Sequence, residues 1–263
     1  MNYQAMGFEI RDNVAWITFN RPEAFNAINS QATHEFYDIV NRCSVDRSIR
    51  AVVLTGTGDR AFCAGGDVAE FAKSGDNVEM LVREMTGVLH TGISRLAWLR
   101  APVIAAINGV AAGAGLSFAA CCDLAIASDT ATFTSAYTRI GLTPDGSSTF
   151  FLTRLIGRRR VMELYMTNRV LTAQEALDWG LVNRIVPAAD LMTEVTKLAT
   201  QLAKGPTQAY GGVKKLVMMS PNDTLESQME RETRVIAEMS RTKDAREGIR
   251  AFVEKRKPDF VGE

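Results

Sequence analysis

Between residues 8 and 20 apolar and polar side chains alternate, with Val14, Trp16 and Thr18 on one face and Ala15, Ile17 and Phe19 on the other. Alternation of period two predicts a pair of strands, and Asp12-Asn13 marks the turn between them. Ser30 then opens a helix reaching about Arg42, with Phe36, Ile39, Val40 and Cys43 at helical spacing. An apolar strand at 51–55, a glycine-rich loop to Asp67, a polar segment at 73–77 and a helix over 78–99 follow. Next, the apolar run 102–107 reads as a buried strand, and 116–122 as a helix too uniformly apolar to lie on a surface. The strand–strand–helix rhythm recurs over 102–118 and again over 124–151, without repetition of the sequence itself. Beyond this the pattern is helical: Thr172 caps a helix to Trp179, and helices are predicted over 188–203, 208–219, 224–239 and 243–256. An α/β core over residues 1–200 followed by a helical region over 201–263 is therefore expected.

Composition narrows the class. The 263 residues are 46% hydrophobic, enough to bury one sizeable core. Thirty basic residues balance thirty acidic ones, which gives no general attraction for nucleic acid or an anionic membrane, so any anionic ligand must be held locally. No secretory or transit pattern marks the first residues, and the most apolar stretch, 102–127, is broken by Asn108, several glycines, Ser117 and Asp123. A cytoplasmic protein is the expectation. Cys43, Cys63, Cys121 and Cys122 lack the paired spacing of a zinc site, and only two histidines are present, so reduced structural thiols and no metal are expected.

The chemistry concentrates at turns. In Asn108-Gly-Val-Ala-Ala-Gly-Ala-Gly-Leu-Ser-Phe-Ala-Ala-Cys-Cys-Asp123, residues Gly113, Ala114 and Gly115 fall at the N-terminus of a buried helix, where unpaired amides favour negative charge. A second small-residue turn, Ala61-Phe-Cys-Ala-Gly-Gly-Asp67, also follows an apolar strand. Glycine at either turn equally serves tight strand–helix packing. Asp145, between Pro144 and Gly146, is either a helix cap or an acid/base group.

These segments, with Asn20-Arg-Pro-Glu-Ala-Phe-Asn-Ala27 before them and Trp179-Gly-Leu-Val-Asn183 behind, resemble the crotonase, or enoyl-CoA hydratase/isomerase, superfamily over about residues 8–260. The resemblance implies a spiral of ββα units, a helical C-terminal region that associates into trimers or hexamers, and an acyl-CoA thioester as substrate, with no prosthetic group. It assigns Gly66 and Ala114 as the two amide donors of an oxyanion hole. It places Glu23, Ala24, Ala64, Gly65, Asp67 and Val68 along the CoA moiety. Ala24 stands where the family often has a basic residue, so Arg21 or Lys257 is the candidate phosphate contact. The two glutamates of the family's hydratases are replaced by Ser117 and Tyr137. Neither hydroxyl is a general base near neutral pH. Asp145 matches the acid/base position of the isomerase branches, where one carboxylate suffices to move a proton between two carbons. His90 with Asp145 matches the pair of the aryl-CoA dehalogenase branch, although Tyr137 replaces that branch's tryptophan. The Gly-Leu-Thr-Pro-Asp-Gly146 pattern and the ending Arg246-Glu-Gly-Ile-Arg-Ala-Phe-Val-Glu-Lys-Arg-Lys-Pro-Asp-Phe260 resemble isomerases of ring-modified aryl-acetyl-CoA esters most. Isomerisation through an enolate is thus expected, with His90, Ser117 and Tyr137 shaping the acyl pocket. The alternatives are hydration, Asp/His-dependent hydrolysis or dehalogenation, and acyl-CoA binding without catalysis.

Overall fold

The computed structural model describes residues 3–263. A hairpin of β1 (Met6–Arg11) and β2 (Val14–Phe19) starts the fold, turning at Asp12 and Asn13 with φ of 51° and 62°. Two positive φ angles in succession match the right-handed twist of paired strands, and Asx residues tolerate them best. After α1 (Ser30–Val45) come three ββα units. The first is β3 (Ala51–Gly56), β4 (Ala61–Cys63), then α2 (Val68–Ser74) and α3 (Val78–Ala97). The second is β5 (Val103–Ile107), β6 (Val110–Ala112) and α4 (Ala114–Cys121); the third is β7 (Leu124–Ser128), β8 (Thr132–Thr134) and α5 (Ser148–Ile156). Helix α6 (Arg158–Thr167), strand β9 (Leu171–Thr172), helix α7 (Ala173–Trp179) and strand β10 (Arg184–Val186) complete the core.

Each unit gives its first strand to a six-stranded sheet, β1-β2-β3-β5-β7-β10, and its second to a four-stranded sheet, β4-β6-β8-β9. Among the described residues, only the β1–β2 and β8–β9 pairs are antiparallel. Parallel strands covered on both faces read as continuous apolar runs, and every residue of β3 and β5 is buried. Strand β2 separates two cores. Ala15, Ile17 and Phe19 face the main core, which holds Phe36, Phe62, Phe118 and Phe133, while Val14 and Trp16 face a second core closed by Leu191, Val195 and Ala199 of α8 (Leu191–Ala203). The C-terminal helices α9 (Thr207–Met219), α10 (Leu225–Met239) and α11 (Lys243–Val253) follow. Lys214 ties α9 to the core, with Nζ 2.7 Å from Asp123 and 3.1 Å from the Ala101 carbonyl.

Several boundaries differ from the sequence reading. Asn29, not Ser30, caps α1, its Oδ1 accepting the Ala32 N–H at 2.8 Å. Helix α4 starts at Ala114, ahead of the predicted residue 116, because Gly113 with φ 52° turns the chain abruptly from β6. The polar segment at 73–77 is partly the end of a short helix, α2, capped by Asp67. Helix α6 lies in a stretch where the sequence pattern predicts no element, its run Arg158-Arg-Arg masking a buried face of Val161, Leu164 and Tyr165. Among the described residues, no helix is long and apolar enough to cross a membrane.

Candidate active site

Strands β4 and β6 are neighbours in the smaller sheet, so the turns that follow them lie side by side. Their contact is close. Gly65 has φ +103°, and a Cβ there would sit 3.3 Å from the Ala114 nitrogen; a Cβ on Gly113 would likewise lie 3.4 Å from the Gly65 Cα. The glycines serve tight packing, and the turns they pack together bring residues 66 and 114 to one cavity. Ala114 is the first residue of α4, so its N–H has no acceptor within the helix. Among the described residues, no backbone carbonyl takes the N–H of Gly66 or of Ala114.

Both residues line a cavity of about 300 Å³, whose walls include Val68, Phe71, Val82, Met85, Leu89 and Ile140. Thr86 presents no free hydroxyl proton there, because Oγ1 donates to the Val82 carbonyl at 2.7 Å. Asp145 is the one carboxylate among the described residues that line this space, and Arg139 the one cation.

Asp145 does not cap a helix with its side chain. Its backbone carbonyl accepts from Ser148 N and Oγ at 3.2 and 2.9 Å, which starts α5, while the carboxylate turns the other way. Oδ1 accepts the Tyr137 hydroxyl at 2.6 Å, and Oδ2 lies 3.5 Å from His90 Nε2. Tyr137 is aimed by Ala136, which holds a left-handed φ of 58° at the cavity wall, a conformation unusual for alanine. Burial, together with the Asp145 charge and hydrogen bond, pushes the Tyr137 phenol far above its ordinary range. The phenol is therefore a permanent donor to Asp145 at any physiological pH.

His90 and Ser117 are not in the acyl-pocket wall, contrary to the sequence expectation. Ser117 is fully buried behind Tyr137, with Oγ 3.1 Å from the phenol oxygen. His90 projects from α3 into a different, larger cleft of about 640 Å³ between α3, α5 and the α9–α10 turn, and the two spaces share no lining residue. Its Nε2 accepts the Gly146 N–H at 3.1 Å. Asp145 thus lines one space, His90 the other, and they meet edge to edge.

The proposed CoA residues separate as well. The turn Pro22–Ala24, carrying Glu23 and Ala24, runs into a segment that is stitched to the 64–68 turn by backbone bonds: Ala64 N to Phe25 O at 3.0 Å, Ile28 N to Gly65 O at 2.7 Å and Asp67 N to Ile28 O at 2.8 Å. Ala64, Gly65 and Val68 line the cavity, whereas Glu23, Ala24 and Asp67 do not. Asp67 is committed to capping α2 and to Arg21, 2.9 Å away. Arg21, also bonded to the Ala27 carbonyl at 2.8 Å, is an internal strut and not a free phosphate contact. Lys257 is an exposed residue beyond α11. Two residues of this corner escape the sequence reading. Buried Asn26 bonds Ala61 O at 2.7 Å and Thr57 O at 3.0 Å, fixing the turn on β4. Arg60 bonds Pro22 O at 2.7 Å and lies 4.4 Å above the exposed Phe25 ring, which puts a cation on the turn where Ala24 supplies none.

A ββα spiral with two amides and one carboxylate around an apolar cavity defines a class of enzyme that handles a charge-developing carbonyl. The chain belongs to the enoyl-CoA hydratase/isomerase family, whose model matches residues 9–263. It is 39% identical to a protein of Rhodobacter capsulatus described as a probable enoyl-CoA hydratase, over 100% of both chains. It is 41% identical to 4-chlorobenzoyl coenzyme A dehalogenase-2 of an Arthrobacter species, over 85% of this chain and 81% of that one. Identity to 1,2-epoxyphenylacetyl-CoA isomerase of Escherichia coli is 35%, covering 96% and 97%. The crystal structure of an enoyl-CoA hydratase from Bacillus anthracis superposes with a TM-score of 0.93 at 33% identity, covering 99% of this chain and 100% of that one.

Proposed function

We propose that the protein isomerises an acyl-CoA thioester, either a 3-enoyl ester or a ring-modified aryl-acetyl ester, through an enolate. The observation that carries this reading is that Asp145, the one carboxylate among the described residues of the cavity wall, lines the same cavity as Gly66 and Ala114. With a 3-enoyl ester, Asp145 takes a proton from the α-carbon. The electron pair moves onto the thioester oxygen, where the two N–H groups hold it. The protonated Asp145 then returns its proton to the γ-carbon, and the double bond ends beside the thioester. No water is consumed, so the missing pair of glutamates is no obstacle. The apolar wall of Phe71, Met85, Leu89 and Ile140 suits an uncharged acyl chain or ring. Arg60 and the Pro22–Ala24 turn suit the phosphates of CoA.

Incubation with 3-enoyl, 2-enoyl, phenylacetyl-type and halobenzoyl CoA esters in ¹⁸O-labelled water tests this. Double-bond or ring isomerisation without label in the acyl group is the expected result. Label in the product of a 2-enoyl ester would instead support hydration, and label in the product of a halobenzoyl ester a second reading, in which Asp145 displaces halide from the acyl ring and water activated by His90 hydrolyses the resulting aryl–Asp145 ester. That reading is favoured by the 3.5 Å separation of His90 and Asp145. Binding of every ester with turnover of none would leave only an acyl-CoA-binding role.

We also propose assembly as a trimer or dimer of trimers through the C-terminal helices. Helix α10 has no buried residue, and Leu225, Met229 and Ile236 are all exposed on it, as are Phe252 and Val253 on α11. Exposed apolar side chains gathered on the C-terminal helices mark an association surface. Light scattering should give a particle of three or six chain masses; a monomer at micromolar concentration removes the proposal.

A further inference from the structure

We propose that Ser117 and Tyr137 act as one positioning device that locks the carboxylate of Asp145 to the amide turn at Gly113–Ala114, leaving a single oxygen, Oδ2, free to move protons. The inference rests on Asp145 being the base, and adds how its geometry is set.

The device is a closed set of contacts. Tyr137 gives its hydroxyl proton to Asp145 Oδ1 at 2.6 Å, so that oxygen is occupied. Ser117 Oγ lies 3.1 Å from the Tyr137 oxygen, 3.1 Å from the Asp145 carbonyl and 3.3 Å from the Gly113 carbonyl. One buried hydroxyl therefore touches the residue before the Ala114 donor, the backbone of the base and the phenol that holds the base. The loop itself is pressed onto this residue: a Cβ at Gly146, where φ is +60°, would come within 3.0 Å of Ser117 Cβ. Oδ2 has no hydroxyl or amide donor at hydrogen-bond distance among the described residues, only the His90 edge at 3.5 Å. The titratable and charged groups facing Asp145 are His90 from α3, Tyr137 and Arg139 from the segment after β8, and Tyr165 from α6, whose phenol bonds Ser148 Oγ at 2.9 Å.

The arrangement gives a use to the two hydroxyls that replace carboxylates. Two further acids here would place three like charges within a few ångströms and raise the cost of ionising each. The neutral phenol instead donates to one ionised carboxylate, and the serine hydroxyl behind it holds the phenol and the Asp145 backbone in place. Misplacement of a reacting group by about 1 Å costs on the order of 10²-fold in rate, so a lock between base and oxyanion donors has a measurable value.

The test has an arm that needs no turnover. With ¹³Cζ-tyrosine labelling, the five tyrosines give resolvable signals, and Tyr137 is assigned by its loss in Tyr137→Phe. Asp145→Asn should move the Tyr137 ¹³Cζ signal at neutral pH, because the acceptor of its hydroxyl changes from a charged carboxylate to a neutral amide oxygen. An unmoved signal overturns the contact, whether or not any ester is turned over. In the kinetic arm, on the ester isomerised by the native enzyme, Tyr137→Phe and Ser117→Ala should each lower kcat by about 10- to 100-fold with KM nearly constant. The double variant should lose little more than the worse single one, because one device is removed once. Multiplicative losses, or losses confined to KM, overturn the proposal. Thermal melts within a few degrees of the native protein certify that the variants are folded, and Ser117→Thr, which keeps the hydroxyl, should recover part of the rate where Ser117→Ala does not. Absence of isomerisation by the native enzyme would count against the proposed function, and the NMR arm would still decide the contact.

Discussion

Asp145→Asn should reduce kcat by about 10²- to 10⁴-fold, the usual contribution of a positioned general base, with the affinity for a saturated acyl-CoA ester unchanged. The substitution is chosen because it separates two roles that the sequence alone leaves open. Asparagine caps a helix as well as aspartate does, so if residue 145 served only to start α5, the variant would be fully active. In the structure the start of α5 depends on the Asp145 backbone carbonyl, which the substitution leaves in place. The amide oxygen of the introduced side chain still accepts the Tyr137 hydroxyl, so the pocket keeps its shape. What is lost is the carboxylate oxygen Oδ2 to which the proposed mechanism gives the proton. Steady-state rates together with calorimetric binding of the saturated ester check both halves, and native-like turnover by the variant would remove Asp145 from the chemistry.

The parts of the fold that can be read from the sequence are those set by local pattern. The Asp12-Asn13 hairpin, the two-faced strand β2, and the parallel strands β3 and β5 each follow from alternation or from continuous apolar runs next to turn residues. Helix α4 is legible as buried because none of its eight residues is charged. Helix α6 is not, because three successive arginines hide its apolar face, and α2 is too short for a helical period to show.

The site divides in the same way. Asp145, Gly66 and Ala114 sit at turns whose local sequence is distinctive, and the fold brings them to one cavity. Sequence and structure part where a partner lies far along the chain. Whether Arg21 is free depends on Asp67, and whether Asn26 matters depends on carbonyls of residues 57 and 61. His90 is placed on the far side of Asp145 by the cleft between α3 and α5 and by the Gly146 amide, none of which has a local signature.

Gly115→Ala tests the contact on which both amides depend. A Cβ at this position would lie 1.9 Å from the Cys63 carbonyl oxygen and 2.7 Å from the Cys63 carbonyl carbon. Those atoms are backbone of the fully buried strand β4 and have nowhere to retreat. Helix α4 must therefore lift from β4, carrying the Ala114 amide away from Gly66 and Ser117 away from Tyr137. Overpacking of this kind costs about 1–3 kcal/mol or more, which for a chain of this size lowers Tm by at least about 2–4 °C per kcal/mol. The rate should fall by at least about 10²-fold, as when one oxyanion donor is withdrawn. Gly87→Ala is the matched control. Gly87 lies within α3, a Cβ there meets nothing within 4 Å, and its φ is not positive. Alanine in a helix interior is favoured over glycine by up to about 1 kcal/mol, so Tm should rise and turnover should stay at the native level. Two identical substitutions are thus expected to shift Tm in opposite directions, and only the one at 115 should cost activity. Full activity in folded Gly115→Ala would mean that the alignment of the two amides does not rest on the α4–β4 contact.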